Sequence, residues 1–213
     1  MTENIAVNTQ SSIRITGKKI LYFDPFEIAE ESHDADVIFI THEHFDHFQP
    51  ESIRKVQKDE TILAAPLSMK KKVLEKSGIR EENCRFFVPG EEGEILGLKV
   101  EAVAAYNKLK FFHTKGKKWL GYVVTMDGTR YFVAGDTDPN RENRKVNCDV
   151  ALIPVGGYYT MDAKQAADFI GCIKPKTAIP THYGTGVGKP QDGEEFKRFL
   201  ASIDPVIQAE LKL

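Results

Sequence analysis

The stretch DVIFITHEHFDHF, residues 36–48, decides how the chain is read. Its apolar run Val37-Ile38-Phe39-Ile40 has the length and composition of a short buried strand. The run stops at Thr41, and His42, His44, Asp46 and His47 follow within six positions. Half of the chain's six histidines therefore stand on the loop that leaves one strand. Imidazole nitrogen and carboxylate oxygen suit zinc, iron, manganese and nickel. In an extended segment residues i and i+2 point the same way, which pairs His42 with His44. Asp46 and His47 come after the chain has turned and face a different point. The loop thus has ligand types for two metals rather than one.

Two further strand ends carry matching groups. In VAGDTD (133–138), Gly135 permits close backbone approach, and Asp136 has two oxygens with which to bridge two cations. In AIPTHYGTG (178–186), His182 directly follows an apolar run. Taken singly, Asp136 reads equally as a turn or cap residue, and His182 as a surface histidine. The signal is joint: three strand ends each present a ligand type.

Around these ends the chain alternates between strand and helix patterns. Strands are expected over 13–15 and 20–23, joined by a turn at Gly17-Lys18 and stopped by Asp24-Pro25. A helix over 50–58 starts at Pro50, and a strand covers 61–65. Leu67, Met69, Val73 and Leu74 then share one helical face, closed by Gly78. The middle is β-rich, with strands at 84–88, 94–96, 98–105, 119–125 and 129–134, the last two joined by an Asp127-Gly128 hairpin turn. A strand at 150–154 precedes a helix capped by Asp162 with Gln165, whose apolar stripe is Ala163, Ala166, Ala167, Ile170 and Ile173. A strand at 177–179, a second capped helix from Asp192 with Glu195 to about 200, and a strand at 206–211 complete the pattern. Both halves repeat strands followed by βαβ-like units. That plan predicts an α/β fold: a four-layer αββα sandwich of two mixed β-sheets flanked by helices. Periodicity alone also admits a doubly wound single sheet.

Composition excludes several classes. The 213 residues fit one domain spanning 1–213, and 41% hydrophobic residues supply a sizeable core. The 29 basic residues nearly balance 31 acidic ones, and a net charge of −2 gives no pull toward nucleic acid or anionic membrane. No apolar run approaches the roughly 18 residues of a membrane span. The opening MTENIAVNTQSS lacks the apolar core of a signal peptide. Cys84, Cys148 and Cys172 form no CxxC pair, which points to free buried thiols in a reducing cytoplasm.

With THEHFDH (41–47), AGDTD (134–138) and PTHYG (180–184) in this order, the chain resembles the metallo-β-lactamase-fold superfamily of metal-dependent hydrolases. ILYFDPF (20–26) is similar to the family's early strand and its site-supporting Asp. AYN…GYVV…GDTD and LIPVGGYYTMDAKQAA look closest to the branch near ascorbate-phosphate lactonase. The resemblance implies the αββα sandwich with a site at its edge. It places His42 and His44 on a first metal, Asp46, His47 and His182 on a second, and Asp136 between them. The family usually has a further histidine after the middle strand, where this chain has Asn107. His113, six residues on beside Phe111-Phe112, is the expected third ligand of the first metal, with a weakly held site at Asn107 as the alternative.

The expected chemistry is hydrolysis by a hydroxide bridging two divalent ions. Zinc is the first choice, with manganese, iron or nickel as alternatives. Asp46 would orient the water or move its proton. The expected partner is a small-molecule substrate, an ester, lactone or phosphate. If Lys108, Lys110, Lys115, Lys117 and Lys118 lie beside the site, they would favour an anionic one. Competing readings are a phosphodiesterase or RNA-processing nuclease, for which no RNA-gripping insertion is visible, and a non-catalytic metal-binding protein. No GxSxG motif supports a serine hydrolase, and a flavin-linked oxygen reductase of this fold would need a flavodoxin domain. A homo-oligomer is compatible with the sequence.

Overall fold

In a computed structural model describing residues 2–108 and 110–213, the quoted run alternates between two cores. Met1, and Leu109 of the lysine-rich loop, lie outside the described residues. Val37 and Phe39 point between two sheets, while Ile38 and Ile40 point outward beneath helices. This is the period of two expected when both faces of a strand are covered.

The first sheet contains β1 (Ile5–Val7), β2 (Ile13–Thr16), β3 (Ile20–Phe23), β4 (Ala35–Phe39), β5 (Gln57–Pro66) and β6 (Cys84–Phe87), side by side in chain order. Its first two pairings are antiparallel and the rest parallel. The second contains β7 (Glu92–Ile95), β8 (Leu98–Ala104), β9 (Leu120–Met126), β10 (Thr129–Val133), β11 (Val150–Pro154), β12 (Thr177–Thr181) and β13 (Gln208–Ala209), again in sequential order. Here β7 to β10 are antiparallel and β10 to β13 parallel. Asp127 and Gly128, at φ 52° and 77°, form the two-residue turn that pairs Met126 with Thr129.

Phe23, Phe39, Leu120, Tyr122 and Val133 fill the space between the sheets. Helices α1 (Pro50–Val56) and α2 (Lys70–Lys76) cover the outer face of the first sheet through Ile53, Val56 and Val73. Helices α3 (Ala163–Ile173) and α4 (Asp192–Ile203) cover the second through Ala166, Phe169, Ile170, Phe196 and Leu200. The result is a four-layer αββα sandwich of mixed sheets. Two separate sheets, one of β1 to β6 and one of β7 to β13, packed face to face exclude a doubly wound single sheet.

Local chemistry accounts for most element ends. Asp162 caps α3 in a reciprocal box with Gln165, a motif that stabilises a helix by about 1 kcal/mol. The matching expectation for Asp192 is not met. Gln191 occupies the cap position of α4, and Asp192 Oδ2 instead accepts from the Lys189 N–H at 2.7 Å. Leu67 falls in a 3₁₀ turn ahead of α2 and is half exposed, so Met69 and Val73 alone of that stretch are buried. The final strand shortens to Gln208–Ala209 because Val206 projects into solvent. Of the cysteines, Cys84 and Cys148 are buried, whereas Cys172 is exposed. No helix among the described residues is long and apolar enough to cross a membrane.

Candidate metal centre

Five strands deliver polar residues from their C-terminal ends to one edge of the sandwich, the place where parallel-sheet proteins hold ligands. β3 delivers Asp24, β4 delivers Thr41 to His47, β8 leads to Asn107, β10 to Asp136, and β12 to His182. Asp24 and His182 adopt the left-handed region, at φ 46° and 59°, a costly conformation for residues with a Cβ. The His182 N–H is held there by the Gln10 carbonyl at 2.9 Å. Gly135 is required by contact: a Cβ there would lie 3.0 Å from both Leu120 O and Thr41 Cβ. The buried Tyr122 hydroxyl crosses between sheets to donate to Ile40 O at 2.9 Å, pinning the start of the histidine loop.

Besides Asp24 with His42 and His47, the ring nitrogens and carboxylates converge in two further groups. His42, His44, His113 and Asp136 form one, and Asp46, His47 and His182 the other, each with its facing atoms within 4.8 Å of one another. Asp136 reaches both. Its Oδ2 lies 3.2 Å from His113 Nε2 and 3.4 Å from His182 Nε2, and its Oδ1 lies 3.4 Å from His47 Nε2. His182 Nε2 is 3.2 Å from both Asp46 Oδ2 and His47 Nε2. His42 Nε2 is 3.1 Å from His44 Nδ1. His113 is buried in the first group, and Asn107 stands behind it: Asn107 Nδ2 donates to Tyr159 O at 2.6 Å and lies 3.3 Å from His113 Nδ1.

Behind the rings, Asp24 accepts from the Thr41 N–H at 2.7 Å, from Thr41 Oγ1 at 2.5 Å and from His47 Nδ1 at 2.7 Å. Thr41 Oγ1, its proton given to Asp24, accepts from His42 Nδ1 at 3.0 Å. One carboxylate thereby fixes His42 and His47 with Nδ1 protonated and Nε2 turned to the cluster. The early Asp-Pro stop signal marked this residue only as a strand end; its supporting role entered through the family resemblance.

Charge follows from burial. Desolvation, reinforced by His47, holds His42 well below the ordinary imidazole range, and burial with His113 lowers His44. Burial pushes the Asp136 carboxyl up, but His182 and His47 outweigh it and hold it well below the usual range. Burial pushes His47 down, yet Asp136 and Asp24 outweigh it, and the ring is held well above its ordinary value. For Asp46, burial is opposed by the hydrogen bond with His182 and by His47, leaving it lowered. Burial pushes Asp24 upward, but all three of its hydrogen bonds come from donors, so the ionised form is the one the geometry holds.

Several buried polar atoms here make no well-aligned hydrogen bond: Asn107 Oδ1, His113 Nε2, Asp136 Oδ1 and His182 Nδ1, although His113 Nε2 and Asp136 Oδ1 face charged or ring partners at 3.2 and 3.4 Å. Unpaired buried polar atoms are costly unless something else satisfies them. The imidazole and carboxylate set fits divalent ions of the zinc class, which would satisfy the cluster-facing atoms among these.

The loop lysines are partly paired with acids. Lys110 pairs with Asp138 at 3.1 Å, Lys115 with Glu142 at 2.9 Å, and Lys117 with Glu43 at 3.2 Å. Three of the five are neutralised by acids distant in sequence.

Residues 7–182 match the family described as the beta-lactamase superfamily domain. UPF0173 metal-dependent hydrolase Ta0764 of Thermoplasma acidophilum is 30% identical over 201 residues, covering 89% of this chain and 87% of that protein. The chain belongs to the UPF0173 metal-dependent hydrolase family of the beta-lactamase superfamily. A crystal structure from Parabacteroides distasonis ATCC 8503, whose name carries an inferred metal-dependent hydrolase activity, resembles this UPF0173 chain with a TM-score of 0.80 at 29% identity over 98% of this chain and 92% of that one. A Thermotoga maritima structure, named as an inferred zinc-dependent hydrolase of the metallo-beta-lactamase superfamily, has a TM-score of 0.59 at 21% identity over 91% of this chain and 84% of that one. That likeness shows the fold of the UPF0173 chain.

Proposed function

We propose that the chain hydrolyses a small ester, lactone or phosphate substrate at a two-metal centre. The observation that carries this reading is the buried Asp136, whose two oxygens face nitrogens of both histidine groups at 3.2–3.4 Å. We assign His42, His44 and His113 to one ion, Asp46, His47 and His182 to the other, and Asp136 to both. When bound, two divalent ions supply Lewis acidity and lower the pKa of water from about 15.7 toward 7. Zinc is the first candidate, a choice supported by the imidazole-rich donor set and by the name of the Thermotoga relative, with manganese, iron and nickel next.

The chain's own groups divide the remaining work. Asp24 and Thr41 hold two rings in the ligating tautomer. Asp46 keeps 14% side-chain exposure against 3% for Asp136, so it is the carboxylate open to arriving substrate. Asp46 would orient the attacking water or carry its proton toward the leaving oxygen. Resemblance to the ascorbate-phosphate-lactonase branch keeps lactones among the substrates to test first. The Asn107 departure kept a non-catalytic reading open; the burial of His113 beside Asp136 weighs against it.

A screen of lactones, esters and phosphodiesters tests the reading, using protein stripped by chelation and then reloaded with zinc or manganese. Hydrolysis should vanish on stripping and return on reloading. Turnover in demonstrably metal-free protein would overturn it, as would no turnover of any substrate by fully loaded protein.

A further inference from the structure

The loops around the centre carry a feature that hydrolysis itself does not use. Among the described residues, the strongly exposed aromatic side chains are Phe45, Phe111, Phe112 and Tyr158, at 77, 94, 49 and 74% exposure. Phe45 stands between His44 and Asp46, and Phe111-Phe112 immediately precede His113. Phe112, Tyr158 and Tyr159 form one ring cluster, with centroids 5.0 Å apart for Phe112–Tyr159, 6.3 Å for Phe112–Tyr158 and 4.8 Å for Tyr158–Tyr159. That cluster is tied to the centre, because Tyr159 O accepts from the Asn107 amide that stands behind His113. Phe45 sits edge-on against the buried Phe26, with centroids 5.9 Å apart.

Apolar surface left in water is unfavourable, and its concentration on the loops of a polar cluster marks a recognition surface. Three of the five nearby lysines, Lys110, Lys115 and Lys117, are already engaged by acids, which reduces the charge they offer an anion. Aromatic faces cover flat aryl groups and methylene chains alike, and ligand sites commonly combine an apolar lining with a few placed polar groups.

We infer that these rings form an apolar rim that binds the non-reacting part of the substrate, so that esters or lactones with a medium-length alkyl or an aryl group are preferred. The word substrate rests on the hydrolase reading above; binding at the rim is separable from turnover. The competing occupant is a second copy of this chain.

The test titrates metal-loaded full-length protein with acetate, hexanoate, decanoate and 3-phenylpropanoate by calorimetry. It compares wild type with Phe112→Ser/Tyr158→Ser and, as a second variant, Phe45→Ser/Phe111→Ser. Hydrolysis of γ-butyrolactone and γ-decalactone is measured in parallel. Wild-type affinity should rise at least about tenfold from acetate to decanoate or 3-phenylpropanoate. Most of that gain should disappear in at least one variant whose metal content and acetate affinity are unchanged. Equal affinities across the series, or a gain retained in both variants, overturns the rim. So does a wild-type dimer that either variant converts to monomers, because the rings would then pack between copies. Equal kcat/KM for the two lactones overturns the rim and leaves the hydrolase reading standing. If no lactone, ester or phosphodiester is hydrolysed while the affinity series holds, the hydrolase reading falls and the rim stands.

Discussion

His47 Nδ1 donates to the Asp24 carboxylate at 2.7 Å with both side chains fully buried. The same carboxylate reaches His42 through Thr41 Oγ1, so one residue from β3 orients a ring in each histidine group. Partners of this kind behind metal-binding histidines contribute roughly ten- to a hundredfold in affinity. Asp24→Asn keeps the shape and should weaken zinc binding by that amount while circular dichroism stays unchanged. Competition titration against a chromogenic chelator measures it; wild-type affinity would remove Asp24 from the ligand-orienting role.

His113 and Asn107 separate cleanly by stoichiometry. His113→Ala should lower tightly bound metal from two ions per chain toward one, because the first group would lose a buried imidazole that faces Asp136 at 3.2 Å. Asn107→Ala should retain both ions. Elemental analysis after desalting decides, and full occupancy in His113→Ala contradicts the ligand assignment.

Metal binding should release a proton. Without metal, the His47 ring lies between Asp24 and Asp136 and is held well above its ordinary value of 6.5. Since the folded value is raised, the contribution of His47 to stability is complete below the ordinary value and is lost as pH rises through the raised one. Near neutral pH the ring must therefore shed its proton to ligate through Nε2, and affinity should increase with pH. Calorimetry in buffers of different ionisation enthalpy reads this directly; heats independent of buffer would show that His47 is already neutral.

The cysteines give a count that needs no activity. Burial pushes the Cys148 thiol up to about 12 and raises Cys84, while Cys172 is exposed. The thiolate is the reactive form. Native protein at pH 8 should expose one thiol per chain to a thiol-specific disulfide reagent, and the denatured chain should expose all three. More than one fast-reacting thiol in native protein would contradict the packing around Cys148 and Cys84.

Much of this centre was legible because each ligand-bearing loop begins where a short apolar run stops. Such a stop locates the C-terminal end of a buried strand, as at Ile40-Thr41, Ala134-Gly135 and Thr181-His182. His113 was harder to place, since it lies nine residues beyond the end of β8 in a lysine-rich loop. Its burial depends on a backbone closure, the Asn107 N–H donating to His113 O at 2.7 Å, that no periodicity signals. The pairing of the lysines was illegible for a related reason. Glu43 and Glu142, which neutralise Lys117 and Lys115, lie 74 and 27 residues away in sequence. Asp192 shows the limit of a local motif: the box pattern was present, but its carboxylate turned back to the Lys189 N–H.

The most direct test of the two-metal arrangement is the anomalous diffraction of crystals of zinc-reconstituted protein, recorded on either side of the zinc edge. Two peaks should flank the Asp136 carboxylate about 3.5–4 Å apart. One should be ringed by His42, His44 and His113, and the other by Asp46, His47 and His182. A single peak in fully loaded crystals, or two peaks with Asp136 touching only one, would contradict it.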